Sequence, residues 1–182
     1  MTRDLVERAM HGDRDAFGVL VERSLDRLVG TAGLILHDAD AADDATQEAL
    51  IRAWRDVPTL RNPDHFGSWL YRILLNRCAD HIRRRPSNAH SALALDHPTN
   101  ATDSIAGLGD RDELATAVAK LKHEHRVVIV LRFYLQLSVP EIAAVIGQPL
   151  GTVKSRLSRA MEYLRAELDA AARSPRTGEE PA

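Results

Sequence analysis

The sequence predicts an all-α protein in which two small helical domains are joined by a flexible linker. From Leu5 to Arg85, apolar residues recur at spacings of three and four, the period of an amphipathic helix. No period-two run of β-branched residues interrupts this half. Residues 86–110 then carry no Lys or Arg and many Ser, Asn, Thr, Pro and Gly, and helical periodicity resumes after them. We therefore expect domains at 1–86 and 111–170, a linker at 87–110 and a disordered tail at 171–182.

The composition is that of a soluble globular protein without a general affinity for polyanions. Of the 182 residues, 27% are charged and 45% are hydrophobic, and the formal net charge at pH 7 is −2. This balance suits a chain with length for one domain or two small ones. Because the net charge is close to zero, any contact with DNA has to come from local basic patches.

Cysteine and histidine usage argues against disulfides and catalysis. Cys78 is the only cysteine, and the start of the chain, "MTRDLVERAMHGDRDAF", is charged where a signal peptide would be apolar. No run of about 18 apolar residues is present, so we expect a cytoplasmic protein without membrane insertion. The histidines form no cluster with carboxylates, and no Gly-rich phosphate loop occurs. We therefore expect no enzyme, no metal, no cofactor and no small-molecule substrate.

The stretch "LSVPEIAAVIGQPLGTVKSRL", residues 137–157, predicts a helix-turn-helix. Ser138 and Glu141 form a capping-box pattern, and Gly147 permits the left-handed conformation that ends a helix. Pro149 suits the opening turn of the next helix. Six apolar positions are expected to face inward: Ile142, Ala143, Ile146, Leu150, Val153 and Leu157. This combination is typical of a DNA-binding helix pair.

The second helix of this pair has two faces. On a helical wheel, one stripe contains Val153, Leu157, Ala160, Met161, Leu164 and Leu168. The opposite face carries short hydroxyls flanked by cations, including Thr152, Lys154, Ser155, Ser158 and Arg159. Short side chains let a helix lie deep in a groove, where Lys and Arg reach bases or phosphates. The alternative is a solvated surface face.

Two stretches of the N-terminal half carry further candidate surfaces. In "DADAADDATQEALIRAWRDVP", an exposed face is predicted at Asp44, Gln47, Glu48 and Ile51, which is typical of a docking surface. A surface helix with one stray Ile is the alternative. In "HFGSWLYRILLNRCADHIRRRP", a shared face combines an aromatic, an amide and guanidinium groups at Trp69, Arg72, Asn76 and Arg83. Such groups stack on and hydrogen-bond unpaired bases, although Trp69 also suits a core position.

With these motifs in order along the chain, the sequence resembles the extracytoplasmic-function (ECF) sigma factors of bacterial RNA polymerase. "DDATQEALIRAW" is similar to their region 2.2, "HFGSWLYRILLNRCADHIRRR" to regions 2.3 and 2.4, and "LSVPEIAAVIGQPLGTVKSRLSRAMEYLR" to region 4.2. The resemblance implies three partners: core RNA polymerase through the β′ clamp helices and the β flap, promoter DNA, and an anti-sigma factor.

The resemblance also assigns roles to individual residues. Asp44, Gln47, Glu48 and Ile51 match the face that engages the β′ clamp helices. The resemblance implies contacts to the −10 element at Arg72 and Asn76 and in the loop from Leu60 to His65, which contains Arg61, Asn62 and His65. The chemistry of the same helix adds Trp69, Arg83 and Arg84 to this set. Contacts to the −35 element are implied at Thr152, Lys154, Ser155, Ser158 and Arg159.

Two other classes of protein fit parts of the sequence. A conventional helix-turn-helix regulator would form homodimers and bind palindromic duplex sites. A helical adaptor that binds only protein would leave Arg72, Asn76 and Lys154 without a role. Association with core RNA polymerase distinguishes a sigma factor from both.

Overall fold

The computed structural model describes residues 2–84 and 110–173, and the side chains from residue 113 in the second range. The first half contains α1 (Thr2–Met10), α2 (Arg14–Leu36), α3 (Ala39–Asp56), 3₁₀ turns at Val57–Thr59 and Pro63–His65, and α4 (Phe66–Arg84). The second half contains α5 (Asp110–Lys120), α6 (His123–Ile129), a π-helical turn (Val130–Tyr134), α7 (Val139–Ile146) and α8 (Leu150–Arg173). No strand occurs in these two ranges, and the all-α prediction is confirmed.

The ends of the predicted linker and tail differ from expectation. α5 begins at Asp110, the last residue assigned to the linker, and α8 continues to Arg173, three residues into the predicted tail. Ala170, Ala171 and Ala172 explain the second difference, because alanine has the highest helix propensity. The rest of both predicted segments lies outside the described residues.

Side-chain caps fix where α2 and α3 begin. The Asp13 carboxylate accepts a hydrogen bond from the Ala16 N–H at 3.0 Å, and the Asp38 carboxylate accepts one from the Ala41 N–H at 2.9 Å. Between these helices, His37 has a left-handed backbone (φ 50°), and its N–H donates to the Gly33 carbonyl at 2.9 Å. The sharp end of α2 lets α3 return antiparallel against it.

A stripe of small residues makes α3 the centre of the first half. Ala42, Ala45, Ala49 and Ala53 are buried against α2 and α4. Their small side chains let the three helix axes approach closely. The face of α3 that carries these alanines is therefore buried, and its opposite face is left for other contacts.

The helix-turn-helix forms as its capping and turn residues predict. The Ser138 N–H donates to the Glu141 carboxylate at 2.8 Å, and the Ser138 hydroxyl accepts from the Glu141 N–H at 3.5 Å. The Ser138 hydroxyl and the Ser138 N–H both donate to the Glu141 carboxylate, and these two bonds hold the pKa of Glu141 below its ordinary value. α7 ends at Gly147, which is left-handed (φ 65°). α8 starts three residues later.

Ser138→Ala is expected to lower the free energy of unfolding by about 1 kcal/mol, because the Glu141 N–H loses its acceptor. Equilibrium urea unfolding followed by circular dichroism measures this change. Ser155→Ala is the matched control, since Ser155 lies inside α8, where alanine favours the helix. Equal losses in both variants would contradict the capping role of Ser138.

Two positions predicted to face inward are exposed. Leu150 is 42% exposed and Met161 is 40% exposed. Leu150 is the first residue of α8, before the helix passes under α7. Met161 lies at the edge of the buried stripe, next to an apolar groove. The buried residues of α8 are Val153, Ala160 and Leu164.

The two halves pack against each other around one continuous core. This core joins Leu28, Ile35 and Leu74 of the first half to Leu131 and Ile142 of the second. α7 lies on α4, and the π-helical turn lies on α2. α5 and the remainder of α8 enclose a smaller cluster that includes Leu121 and Ile129. Across residues 2–84 and 110–173, none of the helices is both long and apolar enough for a membrane span.

Candidate nucleic-acid interface

The polar face of α8 is open to solvent. Lys154, Ser155, Ser158 and Arg159 are exposed, and Thr152 is half-buried. The Ser155 hydroxyl donates to the Thr152 carbonyl at 3.0 Å, and the Ser158 hydroxyl donates to Glu162 at 3.0 Å. Within the described part of the chain, Lys154 and Arg159 form no ion pair, so both cations are available to an external anion. The face thus has the short, polar and cationic character of a helix that enters a DNA groove.

The candidate face of α4 brings a ring, an amide and a guanidinium together. Trp69 is half-buried and tilts against Phe66, with ring centroids 5.8 Å apart. Arg72 and Asn76 are exposed one and two turns further along. Arg72 is already engaged: its guanidinium donates to the Ala144 carbonyl of α7 at 2.6 Å. Trp69 itself packs against the core and is also partly exposed. It therefore fits both the core position and the base-stacking position that the sequence allowed.

The basic end of α4 is separate from this cluster. Arg83 and Arg84 lie about 17 Å beyond Arg72, as eleven or twelve residues of helix require. Arg83 pairs with Asp80, and the Arg84 guanidinium lies 3.8 Å from the Glu48 carboxylate of α3. Because Arg83 and Arg84 are exposed, these pairs do not prevent contact with a phosphate backbone.

The loop before α4 presents its predicted residues to solvent. Arg61, Asn62 and His65 are all exposed. The Asn62 side-chain oxygen accepts the Asp64 N–H at 2.9 Å and so caps the 3₁₀ turn. An ion pair of 2.9 Å between Arg3 and Asp64 connects this turn to α1. The Asn62 oxygen is thereby used within the turn, while the side chain stays exposed.

The predicted docking face of α3 is exposed around an apolar centre. Asp44 and Gln47 are exposed. Ile51, one turn closer to the C-terminal end of α3, is 55% exposed. Glu48 is half-buried, with its carboxylate 3.6 Å from the His81 ring and near Arg84. An exposed isoleucine ringed by polar side chains has the anatomy of a protein-binding patch.

Two family models match the chain in this order: Sigma-70 region 2 over residues 20–87 and Sigma-70 region 4 over residues 111–164. The RNA polymerase sigma-H factor of Pseudomonas aeruginosa is 34% identical over 175 residues, 89% of this chain and 91% of the relative. The ECF RNA polymerase sigma-E factor of Escherichia coli strain K12 is 33% identical, over 88% of this chain and 90% of its own. The chain belongs to the ECF sigma factors. The family expected from the motifs is confirmed.

A solved structure extends the similarity to the arrangement of the helices. The sigma factor RpoE from Bartonella quintana, in a complex with the anti-sigma factor NepR, is 25% identical to this sigma factor. The TM-score is 0.71, and the match covers 84% of this chain and 96% of RpoE. The match is too long to lie within one half, so both halves of this sigma factor have counterparts there.

Sequence patterns did not predict the polar groups at the seam between the two halves. Arg126 of α6 is mostly buried, and burial lowers its pKa to about 10. Its guanidinium donates to the carbonyls of Ile35 at 2.6 Å and Leu121 at 2.9 Å, and also to Ala119. Burial, with Arg126 nearby, lowers the pKa of His37 to about 4. The acceptors lie up to 91 residues away from Arg126, so no local spacing signals them.

An apolar groove beside the helix-turn-helix is a second feature that the sequence did not reveal. It has a volume of about 430 Å³ and includes Leu34, Ile129, Phe133 and Met161. Phe133 is 50% exposed, because the π-helical turn presents it outward. The groove explains why Met161 is accessible although it adjoins the buried stripe of α8. No group of three or more His, Cys, Asp or Glu in residues 2–84 and 110–173 has the arrangement of a metal site.

Proposed function

We propose that this sigma factor directs core RNA polymerase to promoters with −10 and −35 elements and initiates transcription there. One observation carries the proposal: α8 presents an exposed cationic face, on which Lys154 and Arg159 form no ion pair among the described residues. The preceding helix, α7, begins with a complete capping box, and the chain belongs to the ECF sigma family. The working division is a region 2 unit at residues 1–86 and a region 4 unit at 111–170. Their joint action is binding and positioning, without covalent chemistry, in the cytoplasm.

The −35 element is the proposed target of α8. Thr152, Lys154, Ser155, Ser158 and Arg159 lie on the side of α8 away from its buried stripe. An α-helix fits the DNA major groove, where Lys and Arg donate hydrogen bonds to the acceptors of guanine. Ser and Thr hydroxyls both donate and accept, so they can hydrogen-bond to different bases. Because Ser158 is small, the bases beneath it are reached by the longer neighbours Lys154 and Arg159.

The −10 element is the proposed target of α4 and the loop before it. Trp69 and Arg72 offer planes for stacking, and Asn62 and Asn76 offer amide edges. Flipping one base out of a duplex costs a few kcal/mol, which stacking and hydrogen bonding in such a pocket offset. His65 completes the loop, and Arg83 and Arg84 are proposed to hold the phosphate backbone.

The proposed protein partners use two other surfaces. Asp44, Gln47, Glu48 and Ile51 of α3 are assigned to the β′ clamp helices of core RNA polymerase. The region 4 unit is assigned to the β flap. An anti-sigma factor is proposed as the inhibitory partner, since the similar RpoE structure is a complex with one.

Transcription with purified components tests the proposal. The protein is mixed with core RNA polymerase, and run-off transcripts are assayed from the promoter region upstream of its own gene. We expect specific transcripts only when both proteins are present. A chain that forms homodimers on palindromic DNA and does not associate with core would overturn the proposal in favour of a conventional regulator.

Arg159→Ala is expected to lower promoter-specific initiation by about tenfold, because one good base or phosphate contact is worth 1–3 kcal/mol. Core binding is expected to be unchanged. The measurement is run-off transcript yield against sigma factor concentration. Arg165→Ala is the matched control: Arg165 is also exposed on α8, but lies nearly two turns further from its N-terminus. Equal losses from both variants would show that general positive charge, and not the assigned face, is responsible.

A further inference from the structure

Helix α1 packs against the loop from Leu60 to His65, the −10 loop, but carries none of the residues assigned to DNA or polymerase. It ends at Met10, before residue 20, where the match to Sigma-70 region 2 begins. Its apolar side is buried in the core at Val6 and Ala9. It contacts both 3₁₀ turns, of which the first leads into the −10 loop and the second lies within it. α1 is therefore placed to determine where this loop lies.

An ion pair holds the C-terminal end of the −10 loop on α1. The Arg3 guanidinium donates from Nη1 to the Asp64 carboxylate and from Nε to the Glu7 carboxylate, both at 2.9 Å. Glu7 lies one turn after Arg3 on the same helix, so it restricts the guanidinium while the second bond reaches Asp64, 61 residues away. At the other end, Val57 is buried in the same core as Val6. The loop is thus held by burial before its start and by charge near its end.

The position of Asp64 is linked to the positions of two residues assigned to the −10 element. The Asp64 N–H donates to the Asn62 side-chain oxygen at 2.9 Å, and the His65 N–H donates to the Asn62 carbonyl at 3.1 Å. Asn62 and His65 are both exposed. Binding groups discriminate well only when a supporting set of bonds fixes their geometry. A displacement of Asp64 is therefore expected to shift the Asn62 amide and the His65 ring together.

Arg3 also offsets an unfavourable charge in the −10 loop. Asp64 is the only acidic residue among residues 60–65, and it is exposed. A carboxylate at a DNA contact repels the phosphate backbone, and an adjacent cation reduces that repulsion. The ion pair with Arg3 therefore lets the loop keep Asp64 for its internal geometry beside a polyanion.

We propose that Arg3 is a positioning residue for the −10 loop. Through Asp64 it fixes the loop so that Asn62 and His65 discriminate among unpaired bases. The inference rests on the proposed function of this loop and adds α1 to the elements that determine base preference. Arg3 acts through the loop and makes no contact with DNA itself. Because the ion pair is exposed, the effect is modest and concerns the choice of base more than total affinity.

Base preference is measured with holoenzyme assembled from core RNA polymerase and the full-length chain. The probe is labelled single-stranded DNA of the −10 region of the promoter upstream of its own gene, with each of the four bases in turn at each position. The preference is the ratio of the dissociation constants for the weakest and the strongest base at the most sensitive position. We expect Arg3→Ala to lower this ratio about threefold, as loss of one exposed ion pair allows.

Arg8→Ala is the matched control. Arg8 is also an exposed arginine of α1, and its 2.7 Å ion pair with Asp13 lies outside the −10 loop. We expect Arg8→Ala to keep the wild-type ratio. An equal loss in both variants, or a wild-type ratio in Arg3→Ala, overturns the positioning role.

A second variant separates positioning from direct contact with DNA. Asp64→Asn removes the partner charge of Arg3 and keeps the backbone N–H that donates to Asn62. If Arg3 acts through Asp64, Arg3→Ala has no further effect on base preference in the Asp64→Asn chain. An equal effect of Arg3→Ala in both backgrounds shows that Arg3 contacts DNA itself, and this result also overturns the positioning role.

The outcomes distinguish this inference from the proposed function. A wild-type chain that does not associate with core RNA polymerase, or a holoenzyme without any base preference, rejects the proposed function of the loop and this inference with it. A wild-type preference that Arg3→Ala leaves intact rejects this inference alone.

Discussion

Ile51→Asp is expected to weaken association with core RNA polymerase by at least about 100-fold. Ile51 is 55% exposed on α3, one turn beyond Gln47 and Glu48. An apolar residue at the centre of a polar rim typically contributes most of the binding energy of a patch. Burying a carboxylate there without a partner costs several kcal/mol. The folded chain is little affected, because the side chain lies outside the core.

Affinity for core enzyme is measured by surface-immobilised binding, and folding by the thermal midpoint. Leu25→Asp is the control, since Leu25 is a 39% exposed leucine on α2 and is not one of the four assigned residues of α3. We expect that control to bind core enzyme as wild type does. Wild-type affinity of Ile51→Asp would show that α3 is not the docking helix.

The stability of the protein is expected to fall as the pH is lowered from 7.5 to 5, and His37→Asn is expected to remove much of this fall. Burial lowers the pKa of His37 to about 4, below its ordinary value of 6.5. At pH 5 the unfolded chain therefore binds a proton that the folded chain does not, so stability decreases between these pKa values as the pH falls. Allowing for partial exposure of the ring, the loss is about 1–2 kcal/mol.

Asparagine is the appropriate replacement, because it tolerates the left-handed backbone that His37 adopts at the end of α2. Urea unfolding at pH 7.5 and pH 5 measures the free energy of unfolding for each variant. Burial also lowers the pKa of His123. Part of the dependence of stability on pH is therefore expected to remain in His37→Asn. His65→Asn, at an exposed position before α4, serves as the control. A wild-type slope in His37→Asn would show that other groups cause the acid sensitivity.

The helix-turn-helix was predictable because its capping residues act locally. Ser138, Glu141 and Gly147 act within a few residues of one another, so their spacing in the sequence already specifies the geometry. The same holds for the inward stripe of α3, which follows from the helical period alone. The roles of the DNA-facing and polymerase-facing residues stay predictions, since these depend on partners.

Long-range packing explains what the sequence left unpredicted. The position of α7 on α4 depends on bonds such as Arg72 to Ala144, which join residues 72 apart. The π-helical turn carries no sequence signature, although it determines the directions of Phe133 and Tyr134. Leu150 and Met161 show the limit of a helical wheel, which identifies a face but not where the covering helix ends.

The burial of Cys78 determines how this sigma factor responds to oxidants. Burial raises the pKa of its thiol to about 12, so the thiolate is scarce in the folded chain at pH 7. The thiolate is the form that peroxide attacks, and Cys78 is the only cysteine of the chain. We therefore expect oxidation of this thiol to be slow while the chain is folded. A thiol-based stress signal is then expected to act through a partner that has its own reactive cysteine.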